Sequence, residues 1–404
     1  MSHQRDQLIL YRYLLIFIFF MSFLFLRTPL QAQNDVSIKI KKQAKNYSIG
    51  FFYENGYVFQ TNAFLRGINA EKEAIKNYQA FSGQIIFQTT GKKLWQQLYN
   101  FPSWGLGIHV STFDNPEEMG VPIAAYAFIN GSFHRWGKFS LNYEIDFGLT
   151  ANWKRFNPIS NRYNIAIGAG ETVYIHAGIN FAYRLSRQFE ASFGAGLSHF
   201  SNGALKLPNF GLNTFSPRVE LSYNVHGLPK FNRQKIPKFK KFNSLEITMF
   251  SGLKNVLYDS LQVSIQQRYK GVYFPIYGFR ATMSRQISYK SKLGMGFSIS
   301  YDGSVNARVA VEKGKIDVEA SPFAEKLRLS IYPSYELIMG RYALILQPGV
   351  YLYRKQFSSQ VPVSYQRIGL NYHFSNNFVA GISLRAYNFH VSDFIEWSLG
   401  YQLK

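Results

Sequence analysis

The tetrapeptide His-Phe-Ser-Asn occurs twice, as residues 199–202 and 373–376. A Ser hydroxyl is a weak nucleophile until an imidazole takes its proton, so a His and a Ser two residues apart could form a catalytic pair. On a strand the two share a face, with Cα atoms about 6.6 Å apart. In the strand leading to the first copy, Phe193, Ala195 and Leu197 share the face of His199 and Ser201. Ser192, Gly194, Gly196 and Ser198 take the other face. The next strand puts Phe215, Val219, Leu221, Tyr223 and Val225 on one side and Ser216, Arg218, Glu220, Ser222 and Asn224 on the other. Carried back one step, this parity brings Asn213 to the apolar face with His199 and Ser201, and turns Glu220 away. The second copy sits at a tight turn, with no Asn-x-Gly-x-Asn after it, and reads as a polar bend.

These residues must be held by strands. Read for period 2, the chain beyond residue 46 breaks into about sixteen strand segments, with cores near 47–61, 82–98, 103–113, 121–133, 138–153, 173–186, 189–201, 214–226, 243–258, 272–287, 292–303, 325–338, 341–353, 364–374, 377–388 and 392–403. Short turns such as HRWGK, LSRQ and YKSK alternate with long polar loops such as KRFNPISNRYN and SNGALKLPNFGLN. Such alternation suits a barrel with tight periplasmic turns and longer external loops. The basic stretch 226–242 is the exception: it is long, yet falls on the short-turn side. A spanning strand cannot leave an open edge in lipid, so the chain closes into one barrel or two. The expected fold is all-β: a transmembrane antiparallel up-and-down barrel of about 14–16 strands. The alternative is an eight-stranded barrel plus a second β unit, with the boundary at 226–242.

Composition agrees. Aromatics make up 17% of the 404 residues, with 37 Phe and 28 Tyr, and no apolar run after the start reaches helix-spanning length. Residues 1–33 read as a signal peptide: Arg5 and Arg12, the apolar run LLIFIFFMSFLFL, then RTPLQAQ, with cleavage near Ala32 or Gln33. Residues 34–404 are then the outer-membrane barrel. The formal charge of +22 favours anionic partners, and for an exported chain nucleic acid is excluded in favour of phosphorylated lipid or acidic polysaccharide. There is no Cys, no HExxH, no GxSxG and no phosphate-binding loop, so no metal or other cofactor is implied.

The segment HFSNGALKLPNFGLN, within 196–213, resembles the signature of the PagL-type lipid A deacylases, the outer-membrane acyloxyacyl hydrolase family. His199, Ser201, Asn202, Pro208, Asn209 and Gly211 fall on that pattern in register. The resemblance implies a bacterial outer-membrane esterase that removes an ester-linked acyl chain from lipid A of lipopolysaccharide. It makes Ser201 the nucleophile, His199 the general base and Asn202 a contributor to the oxyanion hole. The family's acidic third member falls on Asn213, which can orient the imidazole but cannot neutralise it. Lys206, inside the motif, and Lys154, Arg155 and Arg162 in the preceding long loop are candidates for the phosphorylated head group. The family's familiar members are eight-stranded, so the C-terminal half marks an enlarged relative. Two other readings compete: a porin or transporter, since sixteen strands leave an aqueous channel, and a structural barrel with a decayed motif.

Overall fold

The computed structural model describes residues 47–404 apart from 204, 228, 257–267, 270, 317, 358–361 and 389–390. The expected signal peptide lies outside the described residues. Among the described residues there are sixteen antiparallel strands. The first eight are β1 Tyr47–Val58, β2 Asn77–Gln88, β3 Ser103–Phe113, β4 Gly120–Trp136, β5 Phe139–Trp153, β6 Thr172–Arg184, β7 Phe189–Ser201 and β8 Leu212–Asn224. The second eight are β9 Phe242–Lys254, β10 Phe274–Gln286, β11 Ser291–Asp302, β12 Leu327–Met339, β13 Tyr342–Tyr353, β14 Ser364–His373, β15 Phe378–Tyr387 and β16 Val391–Leu403.

The chain closes twice. β1 pairs with both β2 and β8, and β9 pairs with both β10 and β16, giving two closed eight-stranded barrels. The strand count matches the sequence reading, and the closure is its second option, divided at the basic stretch. That stretch lies along the short-turn rim. Phe231 stacks on Phe101 at 4.7 Å, Asn232 N–H donates to the Thr90 carbonyl, and Phe239 meets Tyr289 of the second barrel edge-on at 4.8 Å.

One segment departs from the expected pattern. The strand expected at 82–98 starts earlier, at Asn77, and stops at Gln88. Residues Leu94–Leu98 instead form a short helix, α1. Its Tyr99 hydroxyl donates to the Ile338 carbonyl at 2.8 Å, so α1 docks on the second barrel.

Burial alternates residue by residue along β8 and β10, as a wall between lipid and lumen requires. Aromatic pairs mark the short-turn end of the first barrel: Phe139 on Tyr183 at 4.6 Å and Phe189 on Tyr223 at 5.1 Å. The lumens are packed. Eight strands leave an interior that side chains can fill, and Tyr78, Tyr174, Tyr332, Tyr365, Arg367 and Arg385 are almost wholly buried. Several of the buried charges are paired, which offsets their desolvation. In the first barrel Arg218 bonds Glu144 at 2.9 Å. In the second, Glu396 accepts from Arg280, Arg367 and Arg385 at 2.7–2.9 Å. The porin reading fails on this packing. The purified protein in planar bilayers is expected to show no steady ion conductance; single-channel steps of porin size would contradict the filled lumens.

Above the polar network, the long-loop end of the first barrel is plugged by apolar side chains. Phe64, Leu65 and Ile75 from loop 59–76, Met119 from the short helix α2 (Pro116–Met119), and Ala166 and Ile167 from loop 154–171 pack on Phe113, Trp153, Phe200 and Leu212. This plug positions the first His-Phe-Ser-Asn copy.

Candidate active site

The strand parity holds. Phe200 points inward, packing edge-on against Trp153 at 5.4 Å and against Tyr174 at 5.3 Å. Leu212, its register partner on β8, is equally buried. Burying a ring and a Leu in this way contributes about 1.5–3 kcal/mol each. With those two side chains committed inward, His199 and Asn213 must face out, and the register sets them directly opposite each other. Leu197 and Phe215, the next outward pair, are 54% and 42% exposed, so this is the lipid-facing wall.

The three side chains meet there. Ser201 Oγ lies 2.8 Å from His199 Nε2, and His199 Nδ1 lies 2.7 Å from Asn213 Oδ1. An amide oxygen can only accept, so Nδ1 carries the proton and Nε2 is left to accept from the Ser201 hydroxyl. That is the tautomer a general base needs. Glu220, the nearest acid in sequence, points into the lumen, bonded by Ser192 and Ser222.

Loop 202–211 is tightly built. The Asn202 backbone N–H donates to Asn209 Oδ1 at 3.0 Å, and its side-chain amide donates to the Lys206 carbonyl at 2.8 Å. Phe210 N–H and Gly211 N–H donate to the carbonyls of Ile165 and Ala166. Gly211 has φ +71°, and a Cβ on it would stand 3.2 Å from His199 Cε1 and 3.4 Å from the Ser201 Cβ. Only glycine lets the backbone lie against the pair in that conformation. The neighbouring loop packs closely on the site loop at Gly168, where a Cβ would collide with the carbonyl oxygens of Lys206 and Pro208.

The other candidates are placed as follows. Lys206 lies half-buried in the site loop. Lys154 pairs with Glu117 at 3.1 Å, and Arg162 stacks on Tyr163. Arg155 lies half-buried in the same loop. The second His-Phe-Ser-Asn copy forms the turn between β14 and β15, at the opposite rim, with His373 N–H donating to the Arg341 carbonyl and Ser375 exposed.

Two further His–Ser pairs escaped the sequence reading. His109 lies 2.7 Å from Ser82 and 2.7 Å from Tyr78, and His176 lies 3.0 Å from Ser198. Each pair is a cross-strand register pair, Ser82 with His109 and His176 with Ser198. Register, rather than proximity in sequence, was the available signal. Both are sealed in the packed lumen, where no ester can enter. A concavity of about 550 Å³ on the first barrel's outer wall surrounds Gly83 between Phe51, Phe81 and Leu221. None of His199, Ser201 or Asn213 lines it, and it is the gap a glycine leaves among lipid-facing aromatics.

Comparison with known proteins adds two family matches. Residues 79–222 match the family described as lipid A 3-O-deacylase (PagL). Residues 243–404 match the acyloxyacyl hydrolase C-terminal domain. No curated protein matches the sequence. Among solved structures, similarity extends to OccK5 (OpdH) of Pseudomonas aeruginosa, at 9% identity, covering 89% of this chain and 97% of that one, with a TM-score of 0.21. The NanC porin is 5% identical, with 88% and 99% covered and a TM-score of 0.14. A Rh. blastica porin mutant is 7% identical, with 88% and 99% covered and a TM-score of 0.17. The two family matches fall one on each barrel, and the chain belongs to the PagL-type lipid A deacylase (acyloxyacyl hydrolase) family of outer-membrane ester hydrolases.

Proposed function

We propose that this protein removes an ester-linked acyl chain from lipid A in the outer leaflet, by a Ser–His mechanism centred on Ser201. The observation that carries the reading is the bonded series Ser201–His199–Asn213 on the lipid-facing wall at the long-loop rim. The triad opens on the outward wall, with Ser201 itself buried and His199 and Asn213 half-buried beside it, which suits a substrate whose acyl chain already lies in the bilayer. Lipid A also bears phosphates, and we assign Lys206 of the site loop to its head group.

Ser201 Oγ attacks the ester carbonyl carbon as its proton passes to His199 Nε2. The tetrahedral intermediate collapses, breaking the bond to the sugar oxygen, which leaves as a hydroxyl with the proton from Nε2. Water then attacks the acyl-serine, again giving its proton to Nε2, and releases the fatty acid and free Ser201. Asn213 holds the ring in the productive tautomer throughout. Asn202 serves the oxyanion through the turn it builds, since its backbone N–H and one amide N–H already bond Asn209 and Lys206.

The test is mass spectrometry of lipid A from cells expressing the wild-type chain or Ser201→Ala, with both proteins in the outer membrane. Wild type should remove one hydroxyacyl chain and Ser201→Ala none. Unchanged lipid A beside folded, inserted wild-type protein would overturn the reading.

A further inference from the structure

The carbonyl of Leu205, at the crest of the site loop, accepts two hydrogen bonds from the second barrel. Asn255 Nδ2 donates at 3.1 Å and the Tyr273 hydroxyl at 2.8 Å. These residues flank the connection between β9 and β10, whose ladder includes the pair Lys254–Phe274. Each stands one step beyond that pair, so a closed sheet fixes where both donors point.

The same loop meets the second barrel again at Gly203. Its φ is +62°, and a Cβ there would stand 2.9 Å from Ile395 Cδ1 and 3.9 Å from Leu384 Cδ1. Ile395 and Leu384 are directly opposed on β16 and β15. An aliphatic cross-strand pair on the outer wall of one barrel therefore seats the backbone of the other, two residues from Ser201. The remaining flank is held from within the first barrel, where Ile165 and Ala166 accept from Phe210 and Gly211. Gly203 and Leu205, close to Ser201, take these contacts from the second barrel.

We propose that the second barrel is a positioning platform for the catalytic loop. Asn255 and Tyr273 fix the Leu205 carbonyl, and Ile395 with Leu384 seats Gly203, so that Ser201 and the turn after it are presented to the ester in register. The proposal rests on the Ser201 reading above. It gives the C-terminal half a function that requires neither a channel nor a second active site.

The experiment uses the full-length chain in mixed micelles with lipid A. It compares wild type, Ser201→Ala, Tyr273→Phe, the double variant Asn255→Ala/Tyr273→Phe, and Phe279→Ala, which alters only an exposed side chain of the second barrel. Folding is read by heat-modifiable gel mobility. Displacing a reacting group by about 1 Å costs up to roughly 100-fold, so the double variant should lose about 10- to 100-fold in kcat with KM unchanged. Tyr273→Phe should fall between it and wild type, and Phe279→Ala should match wild type. Tyr273→Phe removes one hydroxyl and keeps the ring, so it carries the test alone if the double variant fails to fold. Unchanged kcat in a folded variant, beside inactive Ser201→Ala, overturns the platform and leaves the hydrolase reading standing. A rise in KM with kcat intact also overturns it, because it assigns these residues to substrate binding. Activity retained in Ser201→Ala would remove Ser201 as the nucleophile, and the platform built around it with it.

Discussion

Ser201→Ala is expected to lower kcat for fatty-acid release by up to about 10⁶-fold, the order seen when a serine hydrolase loses its nucleophile. No neighbouring group can substitute. The other outward side chains of this stretch, Leu197 and Phe215, are apolar, and Glu220 points into the lumen. The substitution removes one oxygen from a small buried side chain at the barrel rim and leaves the Phe200–Leu212 plug intact, so the barrel should remain folded by gel mobility. Ser82→Ala provides the matched control. It removes a Ser hydroxyl that also lies 2.7 Å from a His, but inside the lumen, and the rate should not change. If Ser82→Ala abolished activity and Ser201→Ala did not, the chemistry would belong to the lumen and the lipid-face account would be wrong.

Asn213→Asp is expected to raise kcat. The Asn213 carbonyl oxygen, 2.7 Å from Nδ1, orients the ring but offers only a dipole to the imidazolium that forms when His199 takes the serine proton. A carboxylate there would supply a full opposite charge. In the chymotrypsin triad the reverse change, Asp to Asn, costs about 10⁴-fold, mostly through the wrong tautomer. Here the tautomer is already right, so the gain should be smaller, about 10- to 100-fold. A charge at a barrel rim costs only about 0–1 kcal/mol, against 2–4 at the bilayer midplane, so the new carboxylate should be tolerated. Asn213→Leu, which keeps the size and loses the acceptor, should reduce kcat by roughly 100-fold or more. Steady-state kinetics of the three proteins decides the point. If Asp lowers the rate or Leu leaves it unchanged, Asn213 is not the third member.

Much of this was legible in the chain. Period-2 alternation and the rhythm of short and long connections gave sixteen strands, because each strand has one face in lipid and one in the lumen. The outward placement of His199, Ser201 and Asn213 followed from the same parity. The number of closures did not, since alternation is the same in a barrel of eight strands or sixteen. The size of the lumen-facing residues was the available clue. Tyr126, Tyr332 and Tyr365 each lie over a cross-strand glycine, Gly107, Gly296 and Gly349, as a narrow filled interior requires. A wide channel has no need of such pairs. The 82–98 segment misled because Trp95 and Leu98 keep an apolar rhythm that a helix also satisfies. The commitments of Asn202 and the contacts from loop 154–171 and the second barrel were out of reach. They depend on which distant backbone groups end up beside the loop, and residue types do not encode that.

The most direct measurement is covalent capture of the nucleophile. Full-length protein in detergent is treated with a lipophilic fluorophosphonate, digested, and the adduct located by peptide mass spectrometry. The account predicts one adduct, on Ser201, formed with wild type and Asn213→Asp and nearly absent in His199→Ala, because the hydroxyl is unreactive without its base. An adduct on another residue, or labelling of Ser201 that is indifferent to His199, would contradict it.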